Sequence, residues 1–292
     1  MNPTTDTPNL AETVARLTPK PFTLVTGQRG TLFAVPDGYS IDTDAKLEKL
    51  EPAPYRKTGC LKFSTAESFA EYVNAHKTPE TRLYAMVNHE STTCPLRIVA
   101  IFNEHQPIAQ STDSIAGWRD FRAEFIPASS YEWRTWNKKN KEGFSQFDFA
   151  VFLEDNNKDI HKPDDAASWP SGIDMLSMAR ELEINSDKSF KSAVRTQSGG
   201  MALTFVDNDD AATAERMDAF NKFAIGIPVF WQDQGYVITA RLRYRQKAGA
   251  LMFFYELVRP DLTVDDAVTK LLAKVEEQVS IKTLFVQNGT EV

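Results

Sequence analysis

Cysteine is scarce in this chain. Cys60 and Cys94 are the only two in 292 residues, they lie in separate segments, and they lack Cys-x-x-Cys spacing, which excludes a disulfide framework or a cysteine zinc site and predicts a reducing compartment. Histidine is equally thin: His76, His89, His105 and His161 are scattered, no two at helical ligand spacing. The Walker A loop, GxGxxG, HExxH and GxSxG are all missing, so no motif announces nucleotide binding, a zinc protease or a serine hydrolase, and no catalytic residue is assigned. Overall positive charge is lacking too: a net charge of -7 and a pI near 5.3 exclude a globally basic nucleic-acid binder while allowing a local basic patch. No apolar run approaches membrane-spanning length, and the opening MNPTTDTPNLAETVARL has neither a basic n-region nor an apolar h-region. The expectation is a cytoplasmic chain with no membrane partner.

What is present is enough to build a core: 42% hydrophobic residues, 11% aromatic, 19 of them Phe. Leu10, Val14 and Leu17 mark a short amphipathic helix in an N-terminal arm over residues 1–20, and residues 21–292 read as a single domain, with a further boundary allowed near 157–170. The chain centres on FSQFDFAVFLEDN, Phe144 to Asn156. Ser145 and Asp148 form a capping box there, and the helix that follows is apolar nearly all round, which predicts burial. Further boxes are read at Ser64 and Glu67, Ser129 and Glu132, Ser171 and Asp174, and Thr263 and Asp266. Hairpins are expected around GQRG, around Ser198 to Gly200, and around the KAG that joins GYVITARLRYR to ALMFFYELV, while Asn208 to Arg216 reads as a loop or short helix. Strands joined by short turns, with helices intruding singly, predict an α+β fold: a predominantly antiparallel or mixed β-sheet with several single helices packed on it.

Two constellations are candidates for binding or assembly. In YVITARLRYR, the residues Tyr236, Ile238, Ala240, Leu242 and Tyr244 share one face, and Thr239, Arg241, Arg243 and Arg245 the other. Three guanidiniums on one strand face repel each other unless an anion, a carboxylate row or another subunit neutralises them, and Glu256 is a plausible partner for one. The bland reading is a solvated outer face of a one-side-buried sheet. The second constellation is Glu154, Asp155 and Asp159, with His161 nearby. Its oxygens are those a Mg²⁺ would use, but no second ligand element follows, so the expectation is a polar turn, no metal and no cofactor. Trp118, Trp133, Trp136 and Trp231 supply anchors suited to interfaces as well as cores.

The run WRDFRAEFIPASSYEWRTW, the block FSQFDFAVFLEDNNKDI, and IPVFW followed by YVITARLRYR and the strand GALMFFYEL resemble the YfdQ-like proteins of phages and prophages, over roughly Arg29 to Phe285. The resemblance implies a phage-encoded protein at work in a bacterial cytoplasm and carries no reaction and no site residues. Two functions fit. The first is a non-enzymatic protein that self-assembles into a homo-oligomer, Arg241, Arg243 and Arg245 of one copy meeting Glu154 to Asp159 of the next, or that binds a host or phage protein. The alternative is an early protein that binds or processes nucleic acid through the arginine row and Lys247.

Overall fold

The computed structural model describes residues 9–18, 22–27, 30–34, 48–91, 95–107, 114–164, 169–184, 189–195, 201–206, 214–247 and 250–291. They belong to two compact units, Met1–Lys57 and Thr58–Val292. In the first, helix α1 (Leu10–Leu17) starts at Asn9, whose side chain accepts from the Ala11 N–H at 3.1 Å. Strands β1 (Phe22–Gly27) and β2 (Gly30–Ala34) form the antiparallel hairpin expected around GQRG.

The second unit is α+β, as expected. Its five-stranded sheet is mixed. In the order β16 (Thr283–Val286), β4 (Arg82–Val87), β5 (Leu96–Ile101), β8 (Phe121–Phe125) and β3 (Gly59–Phe63), the outer pairs are parallel and the inner ones antiparallel. Helix α2 (Ala66–His76) packs on β3 and β8, and helix α6 (Pro260–Val279) packs against α2. Phe69 and Val73 face the core from α2, and Lys77 Nζ donates to the Val279 carbonyl at the end of α6 at 2.8 Å.

The four-stranded sheet is wholly antiparallel, in the order β15 (Ala250–Leu257), β14 (Gly235–Lys247), β13 (Lys222–Pro228) and β9 (Ile160–His161). Helices α3 (Tyr131–Lys139), α4 (Gln146–Asp155) and α5 (Gly172–Ile184) send Trp133, Trp136, Phe149, Met175 and Met178 into the same continuous core as Phe223, Phe253 and Tyr255. The β15 edge is covered by the α3–α4 connection: Phe144 and Phe253 exchange backbone bonds of 2.7 and 3.0 Å, and Lys141 N–H reaches the Tyr255 carbonyl at 2.8 Å. A short β6–β7 pair (His105–Pro107, Ser114–Ala116) and the antiparallel sheet β10–β11–β12 (Ser189–Arg195, Met201–Val206, Ala214–Ala219) complete the unit.

Several sequence expectations are corrected. The helix expected to be buried all round is not: Phe147 and Val151, four residues apart on α4, are exposed, while Phe149, Ala150 and Leu153 face the core. Ser145 and Ser171 do cap their helices, but the cap of α3 is Ser130, whose hydroxyl accepts from Trp133 N–H at 2.9 Å and donates to the Pro228 carbonyl at 2.6 Å. Ser129 instead bridges Phe230. At α2 the N-cap is Thr65, without a side-chain cap bond, and Thr263 lies inside α6, which begins at Pro260 because proline suits the first helical turn. Ala214 to Arg216 belong to strand β12, not a loop or helix. Cys94, Ser198 to Gly200 and the turn residues after Lys247 lie outside the described residues.

Candidate functional site

Strand β14 is long because it serves two neighbours in succession. Its pairing with β13 ends at Lys222 opposite Arg241, and beyond that point it continues with β15 alone as far as Lys247 opposite Ala250. The inward set Ile238, Ala240 and Leu242 is buried, so the pleat sends Arg241, Arg243 and Arg245 outward, about 7 Å apart along the strand. All three are exposed. Residues directly opposite on an antiparallel pair share a face, which brings Lys222 beside Arg241 and sets Glu256, Phe254 and Met252 across from Arg241, Arg243 and Arg245.

Among the described residues the charges of this face do not cancel. Arg243 Nε lies 3.5 Å from Glu256 Oε2, and with both side chains part-exposed such a pair contributes little. Among the described residues no ion pair reaches Lys222, Arg241 or Arg245. Two of these cations lie over aromatic rings instead: Lys222 Nζ is 4.6 Å from the Trp169 centroid and the Arg245 guanidinium 5.8 Å from that of Phe254. Where β13 begins, a pocket of about 520 Å³ opens between Met201, Asn221, Lys222, Arg241, Leu242, Arg243 and Tyr244. Lys222, Asn221 and Trp169 were not singled out from the sequence, since only the β13–β14 register shows that Lys222 joins the arginine row.

The acidic constellation is divided by the fold. Glu154 and Asp155 are exposed at the end of α4. Asp159, on the 3₁₀ turn Asn157–Asp159, points inward, is 6% exposed, and accepts a 2.8 Å hydrogen bond from Trp136 Nε1–H. His161 pairs with Ala224 in the sheet. Among the described residues no three His, Cys, Asp or Glu stand close enough to hold a metal ion, and no ion pair joins Glu154, Asp155 or Asp159 to the arginine row.

Burial pushes the Asp159 carboxyl above the ordinary carboxylate range; Trp136 pulls the other way and Glu132 adds to the rise. A raised folded-state pKa favours the fold below the unfolded value, about 3.9, and that contribution is lost as pH rises through the folded value. Asp159→Asn keeps an acceptor for Trp136 and removes the buried charge. Its thermal midpoint should therefore exceed wild type at pH 7.5, the gap closing as pH falls toward about 4; a lower midpoint at pH 7.5 would show that the charge itself stabilises the turn.

The fold is α+β, and Lys222, Arg241, Arg243 and Arg245 lie together on the outer face of its four-stranded sheet. No helix among the described residues is long and apolar enough to cross a membrane. Residues 5–287 match the family described as "Uncharacterized conserved protein (DUF2303)", and the chain belongs to that family. Neither comparison, with curated proteins or with solved structures, found a match.

Proposed function

We propose that this is a phage-encoded binding protein of the bacterial cytoplasm that holds a polyanionic partner on the outer face of the β9–β13–β14–β15 sheet. One observation carries the reading: in a chain of net charge -7, Lys222, Arg241, Arg243 and Arg245 share a face on which, among the described residues, Glu256 is the carboxylate paired opposite them. A solvated structural face needs no such surplus, and like charges this close raise the energy of the free protein until an anion arrives. Burial of Asp159 also removes one acid from the run that a second copy would offer to the arginines. Retention on immobilised heparin tests the reading. Wild type should elute at higher salt than Arg243→Glu, while Lys139→Glu, at a site where Lys139 is already paired with Glu142 at 2.9 Å, should elute close to wild type. Equal shifts for the two variants would refute it.

A second reading, association between copies, is favoured by Phe147 and Val151, 50% and 38% exposed one turn apart on α4. Light scattering at micromolar protein and about 0.15 M salt, where exposed charges are screened beyond about 8 Å, should give a mass above monomer that Phe147→Asp lowers. A wild-type monomer would end this reading and leave the first intact.

A further inference from the structure

Resting on the polyanion reading, we infer that the partner is a single-stranded nucleic acid whose bases stack on this face while its phosphates meet the cations. The face holds aromatic rings besides charge. Phe254 stands directly across from Arg243 and is half-buried, with the Arg245 guanidinium over its ring. Trp169 lies beside the other end of the basic row, under Lys222. Aromatic rings interleaved with cations on an open sheet are what a single strand needs, because its unpaired bases present π-faces and its backbone a line of negative charge. A duplex hides those π-faces in its own stack, and a run of acidic side chains alone has none to offer.

The geometry adds a direction. Arg241, Arg243 and Arg245 form a line along β14, flanked by Phe254 on β15 and by Lys222 on β13 with the Trp169 ring against it, so a strand laid along the row has a ring within reach at each end. At the β13 end the pocket between Asn221, Tyr244 and Arg241 combines amide, phenol and guanidinium groups with the apolar Met201 and Leu242, a lining that suits a base edge and a ring together. The aromatic partners are on hand before binding, each part-exposed and already in contact with a cation.

The test uses the full chain and three probes at about 0.1 M salt: a fluorescein-labelled oligodeoxythymidylate of about 15 nucleotides, a duplex of the same length, and heparin. The single strand should bind tighter than the duplex, and Phe254→Ala should weaken it roughly tenfold while heparin retention stays put. Phe254→Leu serves as a second variant that keeps apolar bulk should the alanine form fail to fold; the same selective loss is expected. If single strand and duplex bind alike and neither Phe254 variant changes either, stacking is overturned and the polyanion reading survives. If heparin and both nucleic acids fail to bind, the polyanion reading itself falls.

Discussion

Trp136→Ala is expected to lower the unfolding free energy by about 3–5 kcal/mol, measured as a fall in urea midpoint at unchanged slope. The indole is wholly buried, and its ring meets Phe152 at 5.0 Å, Tyr255 at 5.1 Å and Phe223 at 5.9 Å between centroids. It thus joins α3, α4, β13 and β15 at one point. Two polar bonds run through the same residue: Nε1–H satisfies the buried Asp159, and the Trp136 carbonyl accepts from the Tyr255 hydroxyl at 2.6 Å. Truncation empties the space and strips Asp159 of its donor, so the cavity cost and the cost of an unpaired buried group add. Trp136→Phe keeps most of the volume and should lose roughly 1–3 kcal/mol, the penalty for the orphaned carboxylate. A loss under about 1 kcal/mol in the alanine form would mean that this aromatic junction does not hold β13 and β15, the two strands that flank the arginine-bearing β14.

The second large effect is on binding. Each phosphate contact on a single strand contributes about 0.7 to the slope of log affinity against log salt, so removing Arg241, Arg243 and Arg245 together takes away about 2. At ~0.05 M salt that slope corresponds to a roughly five-hundred-fold loss of affinity for oligodeoxythymidylate, shrinking to about tenfold at ~0.3 M. The three side chains are exposed on an outer face, and the triple alanine variant should therefore fold with nearly wild-type stability, unlike Trp136→Ala. A loss that stays constant across salt would point to a disturbed fold instead of missing charges.

The arginine row and the β14–β15 pair were legible because a period of two over thirteen residues leaves one assignment of faces, and burial of Leu242 and Tyr255 obliges the arginines to point out. Four of the five helix starts read from capping boxes were legible to within a residue; the fifth, at Thr263, fell four residues late because α6 opens on Pro260 without a side-chain cap. At Ser129 and Ser130 either serine fits a cap pattern, and the choice falls to the one whose hydroxyl also reaches Pro228, a partner 98 residues away. Phe147 and Val151 illustrate a different limit: a helix with apolar residues on every side does not reveal which rows the neighbours cover. Strand β12 was missed because its charges resemble a loop, yet it lies at the edge of its sheet, where charged residues are tolerated. Of the candidate site, the sequence showed the row but not its setting. Lys222 and Trp169 enter only through tertiary pairing, and Asp159 left the acidic run because the 3₁₀ turn points it at Trp136.

The most direct measurement is arginine modification by phenylglyoxal, mapped by mass spectrometry with and without saturating oligodeoxythymidylate. Arg241, Arg243 and Arg245 should react in the free protein and be protected in the complex, while Arg134 and Arg259, exposed on helix α3 and just before α6, should react equally in both. Unchanged reactivity along β14, with protection appearing instead at Arg97, Arg119 and Arg122 around the other arginine-lined pocket, would contradict the assignment of this face.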